Sequence, residues 1–184
     1  MNYWQTARLR LRAIEPGDAE TFHRWDMDSE RARGLDFVWP PSSLARVRNF
    51  AEQAAQKSME NDSFHWMIET LDGTPVGTIH THDCSLRNGT FSYGIDVCEE
   101  QRGHGYAAEA IWQVLRWYFY ELRYQKVTVW IHSDNPASLH LHEKLGFQHE
   151  GNMRRMMYTG GNYVDVVLMG LTREEFEEIN RQKL

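Results

Sequence analysis

Gln101-Arg102-Gly103-His104-Gly105-Tyr106-Ala107-Ala108-Glu109-Ala110 follows a strand-like run, Thr90 to Val97, and opens a helical run, Tyr106 to Leu122. Two glycines at the mouth of a helix leave backbone N–H groups uncovered by any Cβ, and the helix dipole adds partial positive charge at the same place. A strand, a glycine turn and a helix in this order make a cradle for a phosphate or pyrophosphate. A dinucleotide fingerprint needs a third glycine and a place near the first strand, whereas here Ala108 follows and the unit sits mid-chain. A kinase-type phosphate loop needs Lys-Ser or Lys-Thr after the glycines, and none follows. The pattern that remains is Arg-x-x-Gly-x-Ala, from Arg102, Gly105 and Ala107.

That pattern resembles the pyrophosphate loop of the GNAT superfamily of acetyl-CoA-dependent N-acetyltransferases. Asn135-Pro136-Ala137-Ser138-Leu139-His140-Leu141-His142-Glu143-Lys144-Leu145-Gly146-Phe147 resembles the second cofactor motif of that family. Thr6 to Arg12 is similar to the first strand of its ribosomal-protein-alanine acetyltransferase-like branch, and Gly161 to Met169 to that branch's last hairpin. The four segments lie in the family's order and span nearly the whole chain. The resemblance implies a single domain over residues 1–184. Its fold is α+β, a central, mostly antiparallel twisted sheet of about seven strands with helices on both faces.

The composition agrees with that frame. A chain of 184 residues that is 41% hydrophobic and 25% charged suits one domain with a full core. No run of 18 apolar residues spans a membrane, and the N-terminus shows no secretory pattern, so a cytoplasmic protein is expected. Cys84 and Cys98 form no Cys-x-x-Cys pair and read as free thiols. A net charge of −6 argues against a nucleic-acid partner and suits a cationic acceptor. A homodimer stays open.

Local signals place the elements. Leu9 and Leu11 alternate with Arg8, Arg10 and Arg12 in a first strand, and a helix follows from Pro16 to about Trp25. Pro40-Pro41 bars a helix, and Ser42 or Ser43 caps the next one, which is expected to reach about Glu60. Asp72-Gly73 joins the strands Ser63–Thr70 and Pro75–Asp83. The helix from Tyr106 is expected to bury Ala108, Ile111, Trp112, Leu115, Phe119 and Leu122. A strand over 126–131, a helix over 135–145, a hairpin and a short charged helix complete the chain.

Acetyl transfer to an amine needs a polarised thioester, a neutral amine and a proton for the departing thiolate. By the resemblance, backbone groups at Val97 hold the pantetheine arm of acetyl-CoA. The N–H groups of Arg102, Gly103, His104, Gly105, Tyr106 and Ala107 hold its pyrophosphate, with Arg102 and His104 adding charge. Asn135 bonds the pantetheine amides or serves as the helix N-cap, and Ser138 faces the same channel. His142 stands where many relatives carry a tyrosine that protonates the thiolate, so it reads either as that acid or as a packing residue. The strand position where this branch often has a basic glutamate is Ser92, which cannot act as a base. Asp96 shares its face and is the first candidate carboxylate, with Glu69 and Asp83 on neighbouring strands behind it, and a water-mediated route or capture of neutral amine stays open. His80 and His82 line one strand face without the cluster a metal needs, and no metal is expected. The acceptor is expected to be a small amine, such as a polyamine, or a protein N-terminus. A bulkier acyl-CoA and a non-catalytic CoA sensor are the alternatives.

Overall fold

The computed structural model describes residues 2–58 and 61–182. The chain runs β1 (Leu9–Ala13), a 3-10 turn (Pro16–Asp18), α1 (Ala19–Trp25), α2 (Ser29–Leu35) and α3 (Leu44–Gln56). Three strands follow, β2 (His65–Thr70), β3 (Pro75–Ser85) and β4 (Thr90–Val97), then a 3-10 turn (Glu99–Gln101) and α4 (Tyr106–Tyr120). It ends with β5 (Lys126–His132), α5 (Pro136–Lys144), β6 (Gln148–Thr159), β7 (Asn162–Thr172) and α6 (Arg173–Gln182). The strands form one seven-stranded sheet in the order β1-β2-β3-β4-β5-β7-β6. β1–β2, β2–β3, β5–β7 and β7–β6 pair antiparallel, while β4–β5 is parallel over Thr90–Ser92 against Lys126–Thr128. This is the expected α+β architecture.

The chain folds into two compact units. One comprises the chain up to Thr81 with Gly94–Gln113, and the other His82–Tyr93 with Val114 onward. β3, β4 and α4 each contribute residues to both.

In the first unit the alternation of β1 works as its sequence dictates. Leu9 and Leu11 are buried, while Arg10 and Arg12 turn to the other face and share the buried carboxylate of Glu69 on β2, with Arg12 also gripping Asp18. A core of Ile14, Phe22, Trp25, Val47, Met67 and Cys98 lies where α1, α3 and β2 meet. Burial pushes the Cys98 thiol pKa up, the mark of an inert core cysteine and not of a nucleophile. Gly77 on β3 faces the backbone of β4 so closely that a Cβ there would stand 2.0 Å from the Asp96 carbonyl oxygen.

α2 was not expected from the sequence. Its cap is Asp28, whose carboxylate accepts the Arg31 N–H at 3.0 Å. The segment lacks an apolar stripe, which is why periodicity passes over it. Ser43 caps α3 by accepting the Arg46 N–H. The helix ends at Gln56, with Lys57 already in extended backbone, so it stops short of the expected Glu60, which itself lies outside the described residues.

In the second unit Phe91 of β4 stacks on Tyr118 of α4, ring centroids 4.0 Å apart, and meets Tyr124 edge-on. α4 corrects the expected stripe. Ile111, Leu115 and Phe119 are fully buried, but Ala108, Trp112 and Leu122 are only partly so, and the row Ala110, Val114, Tyr118 is buried as well. The apolar arc is therefore wider than one stripe, which spacing of 3 or 4 alone does not reveal. β5 carries one outward aromatic, Trp130, at 60% exposure. Cys84 on β3 is half-buried near the Tyr118 hydroxyl.

Candidate active site

The glycine turn of the first unit has the geometry of an anion cradle. Gly103 and Gly105 both adopt φ +79, a left-handed conformation that side-chain-bearing residues rarely take. A Cβ on Gly103 would meet nothing within 4 Å, and one on Gly105 only the Arg8 guanidinium. The turn over 102–103 is closed by the His104 N–H, whereas among the described residues the N–H groups of Gly103, Gly105, Tyr106 and Ala107 donate to no protein acceptor. Four donors left over around a helix N-terminus fit a pyrophosphate. Arg102 folds back so that Nε donates to the Val97 carbonyl at 3.1 Å, and His104 stacks on Tyr106. Arg102 and Val97, expected to serve different ends of the cofactor, are thus bonded to each other.

Asp96 lies on the same unit's part of β4 and is nine-tenths buried. Nε and Nη2 of Arg31, from α2, both reach its Oδ2. Arg31 in turn lies 5.4 Å from the centre of the Trp25 ring. Burial pushes the Asp96 carboxyl pKa up, and the charges of Arg31 and Arg102 oppose that push without cancelling it. The carboxylate is therefore a better proton acceptor than an ordinary aspartate. His80 is exposed and lies against Gly94, where a Cβ would approach its ring to 2.5 Å. His82 pairs with its neighbour Asp83. Among the described residues no three His, Cys, Asp or Glu side chains form a metal-binding group.

The second unit holds the other predicted residues. Asn135 accepts the Ser138 N–H at 3.1 Å and so is the N-cap of α5. His142, one turn beyond Ser138, is 2% exposed. Its Nδ1 meets the Ser138 carbonyl at 2.8 Å, which requires Nδ1–H to donate. Nε2 stands 2.8 Å from the Tyr93 hydroxyl, which therefore donates to it when the ring is neutral. Burial lowers the pKa of His142, and the Ser138 carbonyl offsets this only in part. Tyr93 is buried, and burial raises its phenol pKa well above 10. Ser92 precedes it, buried and in parallel register with Thr128. His140 is exposed, on another face from His142.

Ser138, His142 and Tyr93 are brought together, as are Arg102 and Val97, whereas Asp96 bonds to Arg31 and feels Arg102 only through its charge. Arg31, Tyr93 and Arg8, described below, were not anticipated. Arg8 stood among the arginines of the first strand, a visible signal, but Tyr93 pairs across 49 positions that no local spacing reports.

A family model described as an acetyltransferase (GNAT) domain matches residues 8–148. An uncharacterised N-acetyltransferase of Bacillus subtilis, YokL, derived from the SPbeta prophage, is 42% identical over 177 residues, covering 96% of this chain and 97% of its own. A spermidine N(1)-acetyltransferase of Vibrio cholerae is 23% identical over 96% of this chain and 99% of its own. In the solved structures, a spermidine N-acetyltransferase of Vibrio cholerae in complex with CoA and spermine superposes with a TM-score of 0.81, at 20% identity over 94% of this chain and 99% of that one.

Proposed function

We propose, from the premise that this chain belongs to the GNAT acetyltransferase family, that it transfers the acetyl group of acetyl-CoA to a polyamine or another small cationic amine. The chain is an N-acetyltransferase; the donor, the acceptor and the residue roles are the proposal. The observation that carries it is the set of unused N–H groups of Gly103, Gly105, Tyr106 and Ala107 on a left-handed glycine turn. They hold the pyrophosphate, with Val97, Asn135 and Ser138 assigned to the pantetheine arm on the strength of the family resemblance. Acetyl-CoA supplies an activated thioester. Asp96, its pKa raised by burial, takes the proton that the ammonium must lose before it attacks, and Asp28 adds negative charge near it. Ser92 has no basic group and leaves that task to Asp96. A net charge of −6 favours a cationic acceptor, and the spermidine acetyltransferase names among the relatives support the polyamine choice.

A protein N-terminus is the second reading. Thr6–Arg12 and Gly161–Met169 favour it, and a putative ribosomal N-acetyltransferase of Bacillus subtilis is 26% identical. Release of free CoA with spermidine, spermine and an alanine-initiated peptide separates the two acceptors, and no release with any amine would point to a CoA sensor.

Gly105→Glu places a carboxylate in the cradle and strains the φ +79 backbone. By calorimetry, acetyl-CoA affinity is expected to fall at least about a hundredfold, roughly 3 kcal/mol. Unchanged affinity would remove the loop from the proposal.

The imidazolium form of His142 is assigned the proton for the thiolate, and Tyr93 orients its ring. His142→Phe strands the Tyr93 hydroxyl, at a stability cost of about 1–3 kcal/mol, and kcat is expected to fall by about tenfold or more. A variant that folds and matches the parent kcat at every pH leaves the pair with a packing role alone.

A further inference from the structure

We infer that Arg8 is the positioning residue that aims the phosphate loop, an assignment that rests on the reading of Gly103–Ala107 as the pyrophosphate site. Arg8 precedes β1, and its side chain is half exposed. Its Nη1 donates to the His104 carbonyl at 2.9 Å, and its Nε donates to Oε2 of Glu109, in the first turn of α4, at 2.8 Å. Nη2 reaches the same Glu109 oxygen, and the guanidinium carbon lies 5.1 Å from the centre of the Tyr106 ring. The Thr6 hydroxyl donates to the other Glu109 oxygen, Oε1.

Two consequences follow from these contacts. In a planar trans peptide the C=O and the following N–H point in opposite directions. Arg8, by holding the His104 carbonyl, therefore turns the Gly105 N–H away from itself and fixes it as a donor. Gly105 has no side chain to hold that peptide unit, and its left-handed backbone is one of several available to glycine. The bond from Arg8 selects among them. The second consequence is electrostatic. Glu109 stands in the first turn of α4, where its charge would repel a phosphate, and Arg8 with Thr6 neutralises it. The positive charge of Arg8 is consumed by this pair, so its part is orientation and charge balance, with no direct contact to phosphate required.

Lysine cannot reproduce the arrangement, because one ammonium lacks the planar fork that spans a carbonyl and a carboxylate together. The test is calorimetric affinity for CoA and for pantetheine, which lacks the pyrophosphate, in the parent, Arg8→Met and Arg8→Lys proteins. For Arg8→Met the dissociation constant for CoA is expected to rise about tenfold, while that for pantetheine stays within about twofold. Arg8→Lys is expected to recover less than half of the loss. With saturating acetyl-CoA, kcat is expected to stay within about twofold of the parent, giving a KM effect without a kcat effect. Equal weakening toward both ligands, or none toward either, overturns the assignment. A parent protein that binds pantetheine as tightly as CoA overturns the pyrophosphate reading and this assignment with it. A parent that prefers CoA strongly, with an Arg8→Met variant that keeps the preference, overturns the role of Arg8 alone.

Discussion

Asp96→Asn is expected to lower kcat for an amine acceptor by about a hundred- to ten-thousandfold, the range spanned by positioned general bases. Asparagine keeps the size of the side chain and an oxygen for Arg31, but it accepts no proton at neutral pH. The replacement also leaves Arg31, at 11% side-chain exposure, without its counter-ion. Losing one partner of a buried pair costs about 3–5 kcal/mol, so the variant is expected to melt early as well. Arg31→Met separates the two effects. It breaks the same ion pair and destabilises comparably, yet it leaves the carboxylate in place with its pKa raised further. Activity measured well below both melting points should fall steeply in Asp96→Asn and modestly in Arg31→Met, with the acidic limb of the Arg31→Met profile moved to higher pH. An Asp96→Asn enzyme that folds and turns over like the parent would show that the amine loses its proton elsewhere.

Gly77→Ala carries the second large effect. A Cβ at this position would stand 2.0 Å from the Asp96 carbonyl oxygen and 2.9 Å from the Val97 Cα. Both are backbone atoms, so no rotamer change relieves the clash, and β3 must part from β4. Overpacking in a well-packed interior costs about 1–3 kcal/mol and more where the backbone must move. A loss of about 3 kcal/mol or more in urea unfolding is expected, with kcat reduced because the displaced residue is Asp96 itself. Stability within about 0.5 kcal/mol of the parent would mean that β3 and β4 do not approach this closely.

The repeating parts of the fold were legible because periodicity survives tertiary packing. β4 matched its expected bounds, Thr90–Val97, and Asp72-Gly73 marked its turn. The left-handed glycine turn before α4 was legible too, since glycine before a helix is a backbone statement made by the residues themselves. α2 was not, because its residues form no apolar stripe and its one signal was a single capping aspartate. At the site, sequence reasoning named His142, Asp96 and Arg102 but not what they touch. Arg31 lies 65 positions from Asp96, and Tyr93 lies 49 from His142. These partners decide whether a carboxylate or an imidazole is charged, and that is settled only when distant segments fold together.

The two cysteines show how unequal burial makes identical side chains chemically different. Cys98 is closed into the first unit's core with its thiol pKa raised, while Cys84 remains partly open on β3. Alkylating reagents attack the accessible thiolate. The native chain therefore carries a single usable handle for a fluorophore or spin label, at a strand position in the other unit, and can be tagged there without first engineering a cysteine away.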